Sequence, residues 1–343
     1  MNYKNLTLAG SSAPHIRTGY GMGQMMSAVI VALLPALGFA VYNFGPRPAV
    51  NALVSAVGCY AFETIFRLLR RQGPGDLSAV VTGLLLALLC PPAVPYQLLL
   101  LGDFIAIIIV KQLFGGLGQN ILNPALTART VLLLWGGEMH AWTAPHASLP
   151  LWGAVDAALQ PTPLELLRAN DMAGLRELYS IPEVLVGLTS GEAGEVSALL
   201  LMLGGLFLIV RGVISWRIPA SMLGTAAALT FVFSWGNGRT EWMLYQLFSG
   251  SLMLAAFFLA ADPVTSPISP VGQLLYGAGC GFFTALLRYY GFCPEGAGFA
   301  VLLMNAAGRP LDSFLLTGRV EKPALPKLPE LFRRKNMSNI RCK

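Results

Sequence analysis

The chain has 343 residues, 55% of them hydrophobic and only 12% charged, with a mean hydropathy of +0.62; soluble domains carry roughly a quarter charged residues. This composition excludes an ordinary soluble enzyme and reads as a polytopic membrane protein. The net charge of +6 does not argue for nucleic acid, because nine of the 23 Lys and Arg lie from Arg309 onward, in a basic tail of the kind that marks the cytoplasmic side of a last span.

Residues 1–23 are polar, with Lys4, His15 and Arg17, so no cleavable signal peptide is read and the segment is expected to be cytoplasmic. The apolar runs 24–43 and 49–69 are each near the roughly 20 residues that a helix needs to cross the hydrocarbon core, and Pro35 is expected to kink the first. The third run, 79–89, stops at Cys90-Pro91-Pro92 and reads as a short tilted helix or half of a broken one. The fourth, 98–114, carries Asp103 and Lys111 in apolar surroundings; the fifth, 121–135, is interrupted by Asn123-Pro124, and a glycine-rich GGLGQN separates the two.

Residues 137–195 form the only long stretch that cannot lie in a membrane, and five more runs follow it at 196–210, 218–235, 242–261, 271–290 and 294–307. The expected architecture is therefore all-α and integral to the membrane: about ten transmembrane helices in two five-helix halves, 24–136 and 196–308, flanking the loop and followed by a tail at 309–343. An odd number of crossings on each side makes one half inverted relative to the other. The halves echo each other, with TGLLLALLCPPAVP against SGSLMLAAFFLAADPVTSP, and Gly/Pro-interrupted segments at corresponding positions point to a site near the midplane. On ten crossings, 17 Lys and Arg fall on the side of the termini against six opposite. Both termini are then cytoplasmic and the loop extracytoplasmic.

Five scattered cysteines without a C-x-x-C pair, and three histidines without ligand spacing, give no disulfide framework and no self-contained metal or iron–sulfur site. Ionisable groups at membrane depth usually mark a pathway or a pair, so Asp103, Lys111 and Asp262, which follows the eighth run, are candidates for an ion path. Asp103 and Lys111 lie two turns apart, too far for a direct pair, and Lys111 has a second reading as a snorkelling side chain. Glu63 has helical spacing for an i,i+4 pair with Arg67. Gly115, Gly116, Gly118, Asn120 and Asn123 are candidates to cradle a ring or a hydrated ion, because a helix starting at Pro124 leaves amides free. Close packing on small residues explains the glycines equally well.

The segments SSAPHIRTGYGMGQMM, GDLSAVVTGLLLALLCPP, GGLGQNILNPALTA, GEVSALLLMLGGLFLIVRGVISWRIP and LAADPVTSPISPVGQLLYG together resemble the D subunits of Rnf electron-transport complexes and, more distantly, the B subunits of sodium-pumping NADH:quinone reductases. The likeness runs from about residue 10 to 315. It implies a bacterial inner-membrane subunit with covalent FMN, attached by a phosphoester to a threonine of the outward loop, in a complex that passes electrons between ferredoxin and NAD while Na+ or H+ crosses. It also implies partners: other membrane and peripheral Rnf subunits, including a second flavoprotein and iron–sulfur subunits. The family's attachment motif, D-x-x-S-G-A-T then Pro-Leu, falls on Asp156, Thr162, Pro163 and Leu164, with Leu159-Gln160-Pro161 in place of Ser-Gly-Ala. Thr189-Ser190, with small neighbours Gly191 and Gly194, is a rival acceptor in the same loop. A second, non-covalent flavin such as riboflavin among the helices stays open, as do a structural subunit without flavin and, from a different class, an inverted-repeat channel or transporter without a redox cofactor.

Overall fold

The computed structural model describes residues 21–317, except 72, 74, 136, 153–158, 196, 235–237 and 292–293. The described residues are helical apart from loops and one isolated bridge between Thr143 and Leu159. In chain order the elements are α1 (Met22–Phe44), α2 (Arg47–Leu69), α3 (Leu77–Leu88), α4 (Tyr96–Phe104) running on into a π-helical Ile105–Gln112, and α5 (Pro124–Trp135). The described residues of the loop hold a 3-10 turn, Gly137–His140, and three short α-helices, α6 (Pro163–Arg168), α7 (Met172–Leu178) and α8 (Ile181–Val186). Then come α9 (Ala198–Val210), α10 (Arg217–Val232), α11 (Arg239–Phe248), α12 (Leu252–Leu254) running on into a π-helical Ala255–Leu259, α13 (Pro270–Tyr290) and α14 (Ala297–Thr317).

Three of the described helices, α1, α2 and α13, are each long and apolar enough to cross a membrane, and α11 with Leu252–Leu259 makes a fourth candidate broken by a 64° bend. The eighth run is thus two helices rather than one, because Gly250 takes φ +78 at the break. The last helix runs to Thr317, past the expected end of the apolar run at 307, although it contains Pro310.

A helix that is apolar on every side belongs in a core. Ten of the 12 residues of α3 and every residue of Leu252–Leu259 are buried, so these two short pieces lie in the apolar core. The long helices wrap them and turn Val31, Leu34, Leu53 and Val57 outward. Helices in lipid gain little from apolar contact with each other, so close approach falls to small residues. A Cβ on Gly83 of α3 would sit 2.4 Å from the Ser55 carbonyl of α2. On α13, Gly277 and Gly281, one turn apart, press against the Ile218 and Met222 carbonyls of α10 in the same way.

The loop packs as a small unit of its own. Leu164, Leu167, Leu175, Tyr179 and Val184 bury against Trp242 and Tyr245 of α11, the Tyr245 hydroxyl donates to the Tyr179 carbonyl at 2.8 Å, and Arg176 forms a bidentate pair with Glu241. Residues 1–20 and 318–343, where the cytoplasmic ends are expected, lie outside the described residues.

Candidate functional site

Thr162 takes an extended backbone, φ −71 and ψ 154, as the N-cap of α6. Its hydroxyl accepts the Glu165 amide while the Glu165 carboxylate accepts the Thr162 amide, a reciprocal capping box that Pro163 at the first helical position favours. The residue is 3% exposed. The Pro161 carbonyl beside it accepts from the hydroxyls of Tyr179 (2.9 Å) and Ser190 (3.0 Å). Ser190, in the rival acceptor pair, therefore helps to hold the segment that carries Thr162. Burial raises the Tyr179 phenol above its ordinary range, so it stays a donor at neutral pH. On the exposed side of the loop, backbone and hydroxyl donors from Ser180 hold Glu183 below the usual carboxylate range. Pro163 and Leu164 are buried beside Thr162, whereas Asp156 lies outside the described residues.

Sequence-distant candidates meet in one cleft. Lys111, Asn120, Asn123 and Asp262 line it together with Ser78 and Pro124, around about 790 Å³ of atom-free space that includes its mouth. Asn123 caps α5, its Oδ1 accepting the amides of Ala125 and Leu126 and its amide reaching the Leu259 carbonyl at 3.5 Å. The amides expected to be free at Pro124 are thus taken, because an asparagine at the N-cap supplies its own acceptor. Asp262 closes an Asx turn on the Val264 amide and also faces the cleft. Gly115, Gly116 and Gly118 all have positive φ, 114, 91 and 89, so the turn itself demands them, and Leu117 between them lines the cleft.

Lys111 does not snorkel. It is 2% exposed and donates to Glu63 at 2.8 Å and to Ser78 at 2.6 Å, while Gln112 holds the other Glu63 oxygen at 2.9 Å. The i,i+4 partner Arg67 is present but farther from Glu63, at 3.7 Å. The π-helical stretch brings this about, since the wider turn places Lys111 and Gln112 side by side against α2. Asp103 is fully buried against α2, accepting from the Ser55 hydroxyl and, at 3.2 Å, from the Cys59 thiol; its Oδ2 has no partner.

A second charged group escaped the sequence reading. Arg129 of α5 pairs with Glu192 of the loop and with Glu295 just before α14, all three 2% exposed or less. Glu195 joins them, and Arg288 of α13 lies nearby. Of these, Glu195 lies at the start of the GEVSALLL segment that carried part of the resemblance, and Arg129 directly follows NPALTA, yet nothing in either motif points to the other. The others are isolated charges at the ends of apolar runs, and no local spacing joins them.

Residues 9–320 match the model of the NQR2, RnfD, RnfE family. The chain is 41% identical over 317 residues to the D component of the Na(+)-translocating ferredoxin:NAD(+) oxidoreductase complex of Acetobacterium woodii, covering 92% of this chain and 95% of that protein. It is 37% identical over 314 residues to the D component of the proton-translocating ferredoxin:NAD(+) oxidoreductase complex of Clostridium ljungdahlii, covering 89% and 93%. It is 37% identical over 337 residues to the D component of the ion-translocating oxidoreductase complex of Halorhodospira halophila, covering 89% and 93%.

Proposed function

The chain belongs to the NQR2, RnfD, RnfE family, and from that premise we propose that it is the membrane subunit of a redox-driven ion pump, working between ferredoxin and NAD with partner subunits and not active alone. In this reading ten helices in two inverted halves cross a bacterial inner membrane, with both termini cytoplasmic. The observation that carries it is the cleft that gathers Lys111, Asn120, Asn123 and Asp262 inside an apolar bundle. Buried polar groups are costly in a membrane interior and are retained where something polar passes or binds.

Thr162 is the proposed attachment point of FMN, and the geometry around it is compatible with an ester. Its hydroxyl serves as an acceptor in the capping box, so esterification at Oγ1 removes no hydrogen bond that the structure shows. At 3% exposure, however, the side chain can take up a flavin phosphate only while the loop is opened. FMN, when bound, supplies a centre that accepts and releases electrons. The chain's own part is to hold that centre in place: Tyr179 and Ser190 fix the Pro161 carbonyl, and Trp142 fixes Glu165 at 3.0 Å. A second, non-covalent flavin such as riboflavin among the helices belongs to the same reading, with no place assigned to it.

The test is a mass spectrum of the Thr162 peptide from protein made with a competent flavin transferase. The expected result is a gain equal to FMN less water that Thr162→Val abolishes; an unmodified Thr162 refutes attachment there. A purified chain without flavin absorbance would instead favour the inverted-repeat transporter.

A further inference from the structure

Where the loop meets the helices, one carboxylate oxygen from each of Glu192, Glu195 and Glu295 lies within 4.8 Å of the other two. Glu192 and Glu295 are 0% and 1% exposed and Glu195 9%. Backbone contacts hold the three together. The Ala193 and Gly194 amides donate to the Cys90 and Leu88 carbonyls at the end of α3, and the Glu192 amide donates to one oxygen of Glu195 at 3.0 Å.

Two guanidinium groups accompany the three acids. Arg129 bonds Glu192 and Glu295 and also donates to the Leu89 carbonyl at 2.9 Å. Arg288 is occupied by the carbonyl end of α11, bonding the Gln246 backbone and side-chain oxygens and, at 2.9 Å, the Ser249 carbonyl. Three carboxylates against two guanidiniums leave one negative charge uncompensated in a buried place, which is strongly disfavoured. The geometry shows where the deficit lies: Oε2 of Glu192 is buried without a hydrogen-bond partner, and the Glu195 and Glu295 carboxyls meet each other with only a shared proton to join them.

We propose that Glu192, Glu195 and Glu295 bind one dehydrated monovalent metal cation, Na+, through one oxygen each. Three oxygens within 4.8 Å of one another lie no farther than roughly 2.8 Å from a common centre, close to the 2.3–2.6 Å at which hard cations take oxygen ligands. An all-oxygen donor set selects a hard ion. One positive charge restores neutrality, whereas a divalent ion overshoots it. Gly250 closes the cage from the helix break, because a Cβ there would come within 3.0 Å of Glu195 Oε1 and 2.8 Å of Arg288 Nη2.

This site deepens the ion-pumping reading and rests on it for the physiological cargo, but binding is measured without turnover. The full chain is purified in detergent, and its melting temperature is followed by tryptophan fluorescence as NaCl replaces choline chloride at constant ionic strength. The expected result is a rise of roughly 2 °C for each tenfold of Na+ above half-saturation. Glu195→Gln, whose carboxylate has no arginine bond to lose, is expected to abolish the rise while melting in choline at or above the wild-type temperature. Glu192→Gln provides a second loss of response. Equal melting of the wild type in Na+ and choline, as a shared proton in place of the metal would give, overturns the site; so does an undiminished Na+ response in both variants. Neither result touches pumping, which fails separately if the reconstituted complex transfers electrons with no ion uptake.

Discussion

Replacing Glu63 by Gln strands a buried ammonium. Lys111 Nζ lies 2.8 Å from Glu63 and 2.6 Å from Ser78, and its other acidic neighbour, Asp76 at 3.6 Å, is 40% exposed and a weaker partner. At 2.8 Å the attraction is about 6 kcal/mol with an effective dielectric of 20, and the desolvation of two ions offsets most of it. The intact pair therefore adds little net stability, while removal of one partner costs about 3–5 kcal/mol. Glu63→Gln and Lys111→Met are each expected to lose that amount. Glu63→Leu with Lys111→Met is expected to return to within about 1 kcal/mol of the wild type, since two apolar groups replace two ions. Denaturant unfolding of the purified chain in micelles, read by tryptophan fluorescence, measures all of these, and Glu63→Leu alone, expected to lose at least as much as Glu63→Gln, forms a cycle with Lys111→Met and the double. Additive losses, with the double variant as unstable as the sum of the singles, would refute the reasoning.

Asp103→Asn is expected to lower ion uptake per electron in proteoliposomes of the reconstituted complex and to leave flavin content intact; an unchanged ratio removes Asp103 from the path. A reporter fused after Arg176 is expected to be active only outside the cytoplasm, and cytoplasmic activity overturns the orientation. The Tyr179 phenol donates to the Pro161 carbonyl and is held above its ordinary value of 10.0 by burial. Its stabilisation is therefore complete below pH of about 10 and fades as pH climbs through the raised folded value. Tyr179→Phe is expected to lose about 1 kcal/mol at neutral pH and to flatten this alkaline decline; identical pH profiles in thermal melts would contradict it.

The helices were legible where one physical signal decided them. Cys90-Pro91-Pro92 stops α3 as expected, and Asn123-Pro124 starts α5, because a proline costs nothing at a helix start, whereas inside one, as at Pro35 and Pro310, it removes a backbone hydrogen bond. Asn120, Asn123, Lys111 and Asp262, singled out separately in the sequence, line one cleft. What escaped was pairing across long separations. Glu63 showed its i,i+4 neighbour Arg67 in the sequence, yet the nearer partner is Lys111, 48 residues on, turned inward by a π-helical stretch that no local pattern announces. The same limit hid Glu295, which meets Arg129 across 166 residues. The 64° break at Gly250 was missed because α11 and Leu252–Leu259 read as one continuous apolar run.

These buried ionisable groups are not scattered through the bundle; they stand at three heights along α3. At its start, Ser78 receives Lys111, which Glu63 balances. Five residues on, the Gly83 carbonyl accepts from Ser55, whose single proton must also serve Asp103. Ser55 can donate to only one of them at a time, so when it turns to Gly83 a proton on Asp103 is what keeps the Ser55–Asp103 bond. At the end of the helix the Leu88 and Leu89 carbonyls take Gly194 and Arg129, which anchor the three-carboxylate cluster. Each step of five or six residues is roughly 8 Å of helix, so the three levels span about 16 Å of a hydrocarbon core near 30 Å thick. A buried pair whose only task was to hold helices together could be replaced by apolar residues without loss, and one such pair would suffice. Three levels in register, each with a different charge balance and two with an unpartnered carboxylate oxygen, support the proposed reading in which a cation moves stepwise through the bundle.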